Sequence, residues 1–409
     1  MRQELPISDY LSLKPEMESG GGIMIIRAVV IGVGRSGSRF LRAAQYIDPA
    51  IGKIEIVGVS DIDSEKLNAL LGTGIRLEQD FKKILSDTPS DLIVIAVTDG
   101  AHYEILKYIK ENSIGFKKII CEKPIVTKDE HCQFVRSAFD DDQIYVSFVE
   151  RYSLAVSKLK KYIDVNNRNV DSATFVWSKY RVKDSRPTVG VISEITHPVD
   201  LACYLGAIRE DNNFQIHFSC TRESDFVRGG GLRPETIMAC AEFEGGMLLS
   251  GTSSYVQSER NRTMEFLLTN EFSKVVEVAV LRLDSPKWDD DHLSIFRVGD
   301  NSPCLETSYS TSSIKFGSRR YIEKICLFLE DVISDIDGEG SKALPTKSQA
   351  LLVQNIVNQF EKGVVIRRRV FSEGNHASNG GEIHHLYELA NLIKYGVSTE
   401  MTDDWGDQY

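Results

Sequence analysis

The sequence predicts an α/β protein of two domains: an N-terminal doubly wound domain on a parallel sheet, and a C-terminal α+β domain with an open, mostly antiparallel sheet. Five short apolar runs alternate with helical stretches over residues 25–150, which is the pattern of strands that helices cover on both faces. Between about residues 170 and 280, strand-like segments follow one another almost without helices. The length of 409 residues is enough for two domains with separate cores.

Each apolar run is a predicted strand because it is short, rich in β-branched residues and bounded by turn residues. In the first domain the predicted strands lie at residues 25–31, 54–59, 92–97, 118–121 and 144–148, and the helices at 39–46, 64–71, 102–110 and 128–138. In the second domain the predicted strands lie at residues 173–180, 215–221, 236–244, 247–255, 263–269 and 274–280, and the helices at 194–205, 320–334 and 346–361.

The predicted domain boundaries follow from changes in this pattern. Residues 1–24 are polar, end near three consecutive glycines and are expected to form a flexible leader. The doubly wound domain is expected over residues 25–150 and the second domain over residues 151–365. One further helix, at residues 382–394, marks a predicted C-terminal extension over residues 366–409.

Composition and charge exclude several classes of protein. The net charge is -11 and the pI is about 5.4, so no nucleic-acid partner is expected. No apolar stretch of the sequence reaches the ~20 residues that span a bilayer, so no membrane partner is expected. The seven cysteines show no CxxC spacing, and the chain has no HExxH motif. We therefore expect reduced thiols, no metal and a cytoplasmic location.

A glycine motif follows the first predicted strand. Gly32, Gly34 and Gly37 fit the pattern GxGxxG, with Arg35 and Ser36 inside it, and a predicted helix comes next. Glycines in this context permit a tight turn and let the backbone approach a pyrophosphate, which the N-terminus of the helix then holds. The motif predicts a Rossmann domain that binds a dinucleotide. The alternative is a purely structural turn between strand and helix.

An acidic residue follows the second predicted strand. Asp61 lies 24 residues past Gly37, where a carboxylate would accept hydrogen bonds from the adenosine ribose and repel a 2′-phosphate. NAD(H) is therefore favoured over NADP(H). NADP(H) stays possible, because Ser60 and Lys66 could accommodate a phosphate. The alternative is that Asp61 or Asp63 caps a helix.

Polar residues follow the third and fourth predicted strands. Thr98 and His102 come after one strand, and Glu122 and Lys123 after the next. Carboxyl ends of parallel strands meet at one edge of the sheet, where a ligand crevice forms. We expect these four residues to contact the cofactor. A lysine at this edge can also donate to a substrate oxygen and stabilise developing negative charge there.

The order of these motifs resembles the glucose–fructose oxidoreductase and inositol dehydrogenase (Gfo/Idh/MocA) family. The residues that carry the resemblance are the glycine motif, Asp61, the Glu122-Lys123-Pro124 segment, the Glu150-Arg151-Tyr152 segment and a predicted helix with His197 and Asp200. The resemblance covers roughly residues 25–361. It implies an NAD(H)-dependent oxidoreductase of sugar-like substrates, namely a sugar, a nucleotide sugar or a cyclitol. It also implies that residues 151–365 bind substrate and self-associate, giving a homodimer or homotetramer.

The resemblance assigns catalytic roles to Lys123 and His197. Both are implied to bind the reacting hydroxyl, with His197 taking its proton. Asp200 lies one helical turn from His197, so we expect it to orient the imidazole. The family pattern is broken near this helix, because Ser193 and Ile195 stand where many members have aspartate and glycine. That departure puts simple inositol or glucose oxidation in doubt.

Two other functions stay open. One is a glycosidase that uses tightly bound NAD for transient oxidation, and the other is a regulator that senses a dinucleotide without catalysis. Retention of Lys123 and His197 together argues against the regulator. Two further expectations concern loops. The Asp289-Asp290-Asp291 run is expected to be a solvated turn, and the residues before the substrate helix are candidates for the substrate side: Tyr180, Arg181, Lys183 and Arg186.

Overall fold

The fold is described from a computed structural model. It covers residues 23–184, 188–227, 231–311 and 319–370, together with residue 394. The expected leader (apart from its last two residues) and the expected helix of the C-terminal extension (apart from residue 394) lie outside the described residues. Among the described residues, no helix is both long enough and apolar enough to cross a membrane.

The first sheet has six strands, all parallel, in the order β3-β2-β1-β4-β5-β6. Its order reverses at β1, and the crevice at such a reversal is where open α/β sheets bind ligands. This confirms the predicted Rossmann domain. The strands are β1 (Ile25–Ile31), β2 (Lys53–Ser60), β3 (Arg76–Glu78), β4 (Leu92–Ile95), β5 (Lys118–Cys121) and β6 (Ile144–Val146).

Helices cover both faces of this sheet, as the continuous apolar runs predict. Aspartate side chains begin two of them: Asp63 accepts from the backbone N–H of Glu65, and Asp80 from that of Lys82. The helices are α1 (Arg35–Ala43), α2 (Ser64–Asn68), α3 (Phe81–Asp87), α4 (His102–Glu111) and α5 (Asp129–Ala138).

The second sheet has nine described strands in the order β14-β13-β12-β11-β7-β10-β9-β8-β15. Only the β7–β10 and β8–β15 pairs are parallel, which confirms the open, mostly antiparallel sheet. The strands are β7 (Asn169–Tyr180), β8 (Phe214–Ser224), β9 (Arg233–Phe243), β10 (Leu248–Ser254), β11 (Val256–Thr269), β12 (Val275–Arg282), β13 (Asp291–Arg297), β14 (Leu305–Tyr309) and β15 (Val364–Arg369).

The helices of the second half are α6 (Leu154–Val165), α7 (Ile192–Leu205), α8 (Glu323–Ile336) and α9 (Lys347–Glu361). Helix α8 departs from the predicted domain plan. Its apolar residues Ile325, Phe328 and Val332 pack in one cluster with Ile26 and Val30 of β1. The chain therefore returns to the first sheet after building the second one. An apolar stripe shows that a helix must be covered but does not say which sheet covers it.

The predicted boundary at residue 365 falls inside β15, because Val364 and Val365 already pair with β8 and the pairing continues through residue 369. The predicted solvation of the turn at residues 289–291 is wrong, since Asp289 and Asp291 are buried. The Lys324 ammonium of α8 lies 3.0 Å from Asp291 and 2.8 Å from Asp284. The acids are buried because they pair with Lys324, which lies on a helix distant in the sequence. The residues next to them in the sequence give no sign of this pairing.

Candidate active site

The glycine loop joins β1 to α1, and each glycine has a different reason to be there. Gly32 has a φ of +90°, and a Cβ there would lie 2.5 Å from the Ala96 carbonyl oxygen. A Cβ on Gly37 would overlap the Gly32 carbonyl. A Cβ on Gly34 would approach only the Lys66 ammonium among the described residues, at 3.9 Å. The loop is therefore open at its second glycine, where a diphosphate would approach the backbone.

Asp61 lies directly after β2 and faces the glycine loop. Its carboxylate accepts from the backbone N–H of Val33 at 2.8 Å and from that of Asp63 at 2.9 Å. The α2 cap is Asp63 rather than Asp61. Because each carboxylate oxygen can accept a second hydrogen bond, Asp61 keeps capacity for ribose hydroxyls. The predicted ribose contact stays a prediction.

His102 is corrected as a cofactor contact, because it is fully buried at the start of α4. Its Nδ1 lies 2.8 Å from the Pro124 carbonyl oxygen and its Nε2 lies 3.2 Å from the Val97 carbonyl oxygen. Two acceptor-only partners favour the imidazolium, which donates at both nitrogens. The pKa of His102 is raised to about 10, even though burial acts to lower it, because Cys121 and other neighbours raise it. His102 therefore ties β4 to the segment that bears Lys123.

The other predicted cofactor contacts stay near the cleft. Thr98 is exposed and begins a short 3-10 helix, beside Val97 and Asp99, which line the cleft. Glu122 lines the cleft itself, and burial raises the pKa of its carboxyl. Arg35 and Ser36 line the same cleft from the N-terminus of α1.

Lys123 and His197 line one cleft from opposite domains. The Lys123 ammonium donates to the Ser193 carbonyl oxygen at 3.0 Å and lies 3.8 Å from the Glu194 carboxylate. Desolvation acts to lower the pKa of Lys123, but Glu194 and other anionic neighbours outweigh it and the pKa is raised. Lys123 is therefore a charged donor at neutral pH.

His197 is held against an aromatic ring and is electrically neutral. Its ring centroid lies 5.8 Å from that of Trp177, with 24° between the planes. Burial, and then the charge of Lys123, keep the pKa of His197 well below its ordinary range. Its Nδ1 is buried and has no hydrogen-bond partner among the described residues. A neutral imidazole beside a cationic lysine can accept a proton from a bound hydroxyl.

The expected support of His197 by Asp200 is corrected. Asp200 accepts from Arg151 instead, with distances of 3.1 Å and 2.9 Å from Nε and 2.5 Å from one terminal nitrogen. The Arg151 and Asp200 side chains are only 1% exposed. In such a buried site the carboxylate interacts more strongly with a charged guanidinium than with a neutral imidazole. His197 and Asp200 share a helix face because they lie one turn apart. The direction of the Asp200 side chain is nevertheless set by its ion pair with Arg151.

The electrostatic centre of the site is Glu194, a role that the sequence did not predict. Its carboxylate lies 2.6 Å from Lys179, 3.0 Å from Arg262 and 3.4 Å from the Tyr255 hydroxyl. Cations dominate over burial and hold the pKa of Glu194 well below its usual range. One sequence feature could have indicated this role of Glu194. Side chains alternate between the two faces of β7, so Trp177 and Lys179 lie on one face, and both donate to Glu194 of α7.

The cleft is rich in positive charge although the whole chain is acidic. Seven arginines and lysines but only four acids line it. Among the predicted loop candidates, Arg181 lines the cleft and pairs with Asp184, whereas Tyr180 and Lys183 are exposed and Arg186 lies outside the described residues. Among the described residues, no group of three or more His, Cys, Asp or Glu side chains is arranged to hold a metal ion.

Comparison with known proteins agrees with this fold. The family model described as the oxidoreductase family with an NAD-binding Rossmann fold matches residues 26–148, which are the six-stranded domain. Over this first domain the chain is similar to the Gfo/Idh/MocA oxidoreductases. It is 27% identical over 146 residues to inositol 2-dehydrogenase 3 of Saccharopolyspora erythraea, a match that spans 34% of this chain and 41% of that relative.

Two solved structures share the fold over both domains. Levoglucosan dehydrogenase in complex with NADH matches with a TM-score of 0.67 and 19% identity, covering 83% of this chain and 96% of that one. UDP-N-acetylglucosamine 3-dehydrogenase from Acidithiobacillus ferrooxidans matches with a TM-score of 0.61 and 14% identity, covering 84% and 98%. At these identities the likeness establishes the two-domain fold.

Proposed function

We propose that this protein is an NAD(H)-dependent oxidoreductase that moves hydride between nicotinamide and a carbinol or keto carbon of a sugar-like substrate. The observation that carries the proposal is that Lys123 and His197 face one cleft beside the glycine loop, the lysine charged and the histidine neutral. The substrate class is a sugar, a nucleotide sugar or a cyclitol. The relatives named above act on molecules of these kinds.

The chain's own residues manage the proton and the oxygen. When bound, the nicotinamide supplies the hydride chemistry. Lys123 donates a hydrogen bond to the reacting oxygen and stabilises negative charge that develops there. His197 accepts the hydroxyl proton in the oxidative direction and returns it in the reductive direction. The Glu194 carboxylate, which is itself surrounded by cations, attracts the Lys123 ammonium and so keeps it charged and in place.

NAD(H) is the proposed cofactor, with NADP(H) the weaker ligand. Asp61 is fixed beside the glycine loop, where its charge opposes a 2′-phosphate. Lys66 approaches the same loop near Gly34 and is the residue that would tolerate such a phosphate. The preference therefore depends on which of the two charges dominates at the ribose.

We further propose a homodimer or homotetramer built on the nine-stranded sheet. Val176, Phe218, Met238 and Leu248 are at least 38% exposed. The strand neighbours of Val176, Met238 and Leu248 are buried in the core, whereas Phe218 lies between exposed His217 and buried Ser219. An apolar sheet face of this kind is typical of an interface between subunits. The seven cysteines, all in the described part of the chain, carry free thiols, which supports the proposed cytoplasmic location.

The test is a panel of sugars, nucleotide sugars and cyclitols, each incubated with NAD⁺ while the reduced cofactor is measured by absorbance. The proposal expects net reduction of NAD⁺ with at least one class. Hydrolysis of a glycoside without net reduction would instead establish the glycosidase. Binding of NADH without turnover of any member would leave the dinucleotide sensor as the function and overturn the proposal.

A further inference from the structure

A loop of the second domain reaches the helix that follows the glycine motif. The loop lies between β12 and β13 and carries Trp288, which lines the cleft together with Arg35 and Arg39 of α1. The Arg39 guanidinium carbon lies 4.6 Å from the centroid of the Trp288 ring. The Arg260 guanidinium carbon, from β11, lies 4.5 Å from the same centroid. One indole therefore connects arginines of both domains.

Four guanidinium groups surround this indole, and one of them, that of Arg262, is already paired with Glu150, Glu194 and Asp284. Arg35 and Arg262 also lie over the Trp288 ring, at 5.9 Å and 5.1 Å from its centroid. Each guanidinium is attracted to the ring face, but the guanidinium groups repel one another. Arg39 donates a hydrogen bond to the Tyr321 carbonyl oxygen, which is a neutral acceptor. Arg35 and Arg39 place positive charge beside the ring on the side of the glycine loop, so an anionic ligand is favoured there.

The loop is held firmly enough to form part of a binding site. Asp284 at its start and Asp291 at its end both bind the buried Lys324 ammonium. Asp289, next to Trp288, accepts from the backbone N–H of Glu323 at 3.1 Å. Burial raises the pKa of Asp289 to about 7, which weakens it as a counter-ion for the nearby arginines.

The position of Arg35 indicates which anion fits. Arg35 follows Gly34 directly and begins α1, whose first turn contains no acidic residue. A cation is disfavoured at the N-terminus of a helix, because the helix macrodipole is positive there. A bound anion removes that conflict, since it is attracted by both the backbone N–H groups and the guanidinium. The open side of Gly34 provides its approach.

We propose that Trp288 and Arg260 of the second domain, with Arg35 and Arg39, complete the binding site for the diphosphate of the dinucleotide. The inference rests on the proposed function only in its choice of a dinucleotide. The cofactor then touches both domains, and its binding tightens the cleft in which Lys123 and His197 face each other. A structural stack with no ligand role is the competing explanation.

The first test measures affinities for ADP-ribose and adenosine by calorimetry. Arg39→Gln and Arg260→Gln are each expected to weaken ADP-ribose about 10–100-fold, the loss typical of one charged hydrogen bond, and to leave adenosine unchanged. Arg297→Gln, which removes an exposed charge at the end of β13, is the matched control and should bind as wild type does. Unchanged ADP-ribose affinity in both cleft variants, with unaltered melting temperatures, would overturn the proposal.

The second test uses the emission of Trp288. ADP-ribose should change the emission of the wild-type protein, and the change should disappear in Trp288→Phe although the other two of the three tryptophans remain. A full-size change in Trp288→Phe would contradict the placement. If uridine diphosphate, but not ADP-ribose, competes at the arginines, the subsite belongs to the substrate and the proposal fails. If wild type binds neither NADH nor ADP-ribose, the proposed function fails as well.

Discussion

Glu194 and Lys179 form a buried ion pair in the cleft, with 2.6 Å between the carboxylate oxygen and the ammonium nitrogen. The same carboxylate lies 3.8 Å from Lys123 and 3.0 Å from Arg262, so one anion separates three cations. Burial and the neighbouring cations Arg262 and Lys123 lower the pKa of Lys179 well below its ordinary value, although Glu194 acts to raise it. The charges of the two lysines are thus coupled through Glu194.

The first prediction concerns Glu194→Gln. Glu194 is the largest charge that raises the pKa of Lys123, so its removal should lower that pKa. Lys123 must be protonated to donate to the substrate oxygen, and activity is lost as pH rises through its pKa. The basic limb of kcat/KM should therefore move to lower pH, as measured in a pH–rate profile. Glu242→Gln, at an exposed pair with His217, is the control. An unmoved basic limb would show that Glu194 has only a structural role.

The second prediction concerns the acidic limb of the same profile. His197 acts as a base only when neutral, so activity is present above its pKa and lost as pH falls through it. Because burial and Lys123 place that pKa well below the ordinary value of about 6.5 for histidine, kcat/KM should stay level through that pH and fall only in more acidic solution. An inflection near the ordinary value that His197→Gln abolishes would contradict the neutral, desolvated imidazole.

The third prediction tests whether Lys123 and His197 serve one substrate oxygen. Lys123→Ala and His197→Ala should each lower turnover ~10²–10⁴-fold, the usual effect of losing a positioned acid–base group. Affinity for NADH, measured by calorimetry, should stay nearly unchanged. The double variant should lose less than the product of the single losses, because both residues act on one atom. Near-normal turnover in His197→Ala would show that another group, such as Tyr255 or a water, accepts the proton.

The parts of the site that were predictable from sequence are those encoded within a few residues of one another. The glycine motif, the Lys123 segment and the helix with His197 each have a local pattern, and the structure brings them to one cleft. The same holds for the parallel sheet, whose strands are continuous apolar runs. The third strand, β3, was missed because it has only three residues and all are partly or fully exposed.

The parts that were not predictable depend on contacts between distant segments. Glu194 meets Arg262 across 68 positions, and Arg151 meets Asp200 across 49. The helical spacing of His197 and Asp200 correctly places them on one face, but it carries no information about Arg151. In the same way, the apolar stripe of α8 does not reveal that α8 returns to the first sheet. Such pairings are decided by packing in three dimensions.

The fourth prediction concerns the choice of cofactor. Asp61→Ala should reduce the ratio of NADH affinity to NADPH affinity about 10–100-fold, because it removes charged hydrogen bonds to the ribose and the repulsion of a 2′-phosphate. Asp61 also fixes the loop through Val33, so NADH affinity itself should fall. The ratio, obtained by fluorescence titration, isolates the ribose contribution. Asp63→Ala, which removes the α2 cap instead, should leave the ratio unchanged.

The fifth prediction separates a structural role of Asp200 from a catalytic one. Asp200→Asn leaves the Arg151 guanidinium without its anionic partner in a site where both side chains are 1% exposed. Breaking a buried pair in this way costs about 3–5 kcal/mol, so the free energy of unfolding, measured in urea, should fall by that order. Since Asp200 bonds Arg151 rather than His197, the pH profile of the folded variant should match wild type.

The double variant Arg151→Met with Asp200→Leu is the matched control for this prediction. It removes both charges together, so no unpaired ion is left and much of the lost stability should return. Its turnover should then be close to that of wild type, because neither residue lines the cleft in which Lys123 and His197 lie. If Asp200→Asn instead kept full stability and shifted the acidic limb of kcat/KM, Asp200 would act on the histidine in solution after all.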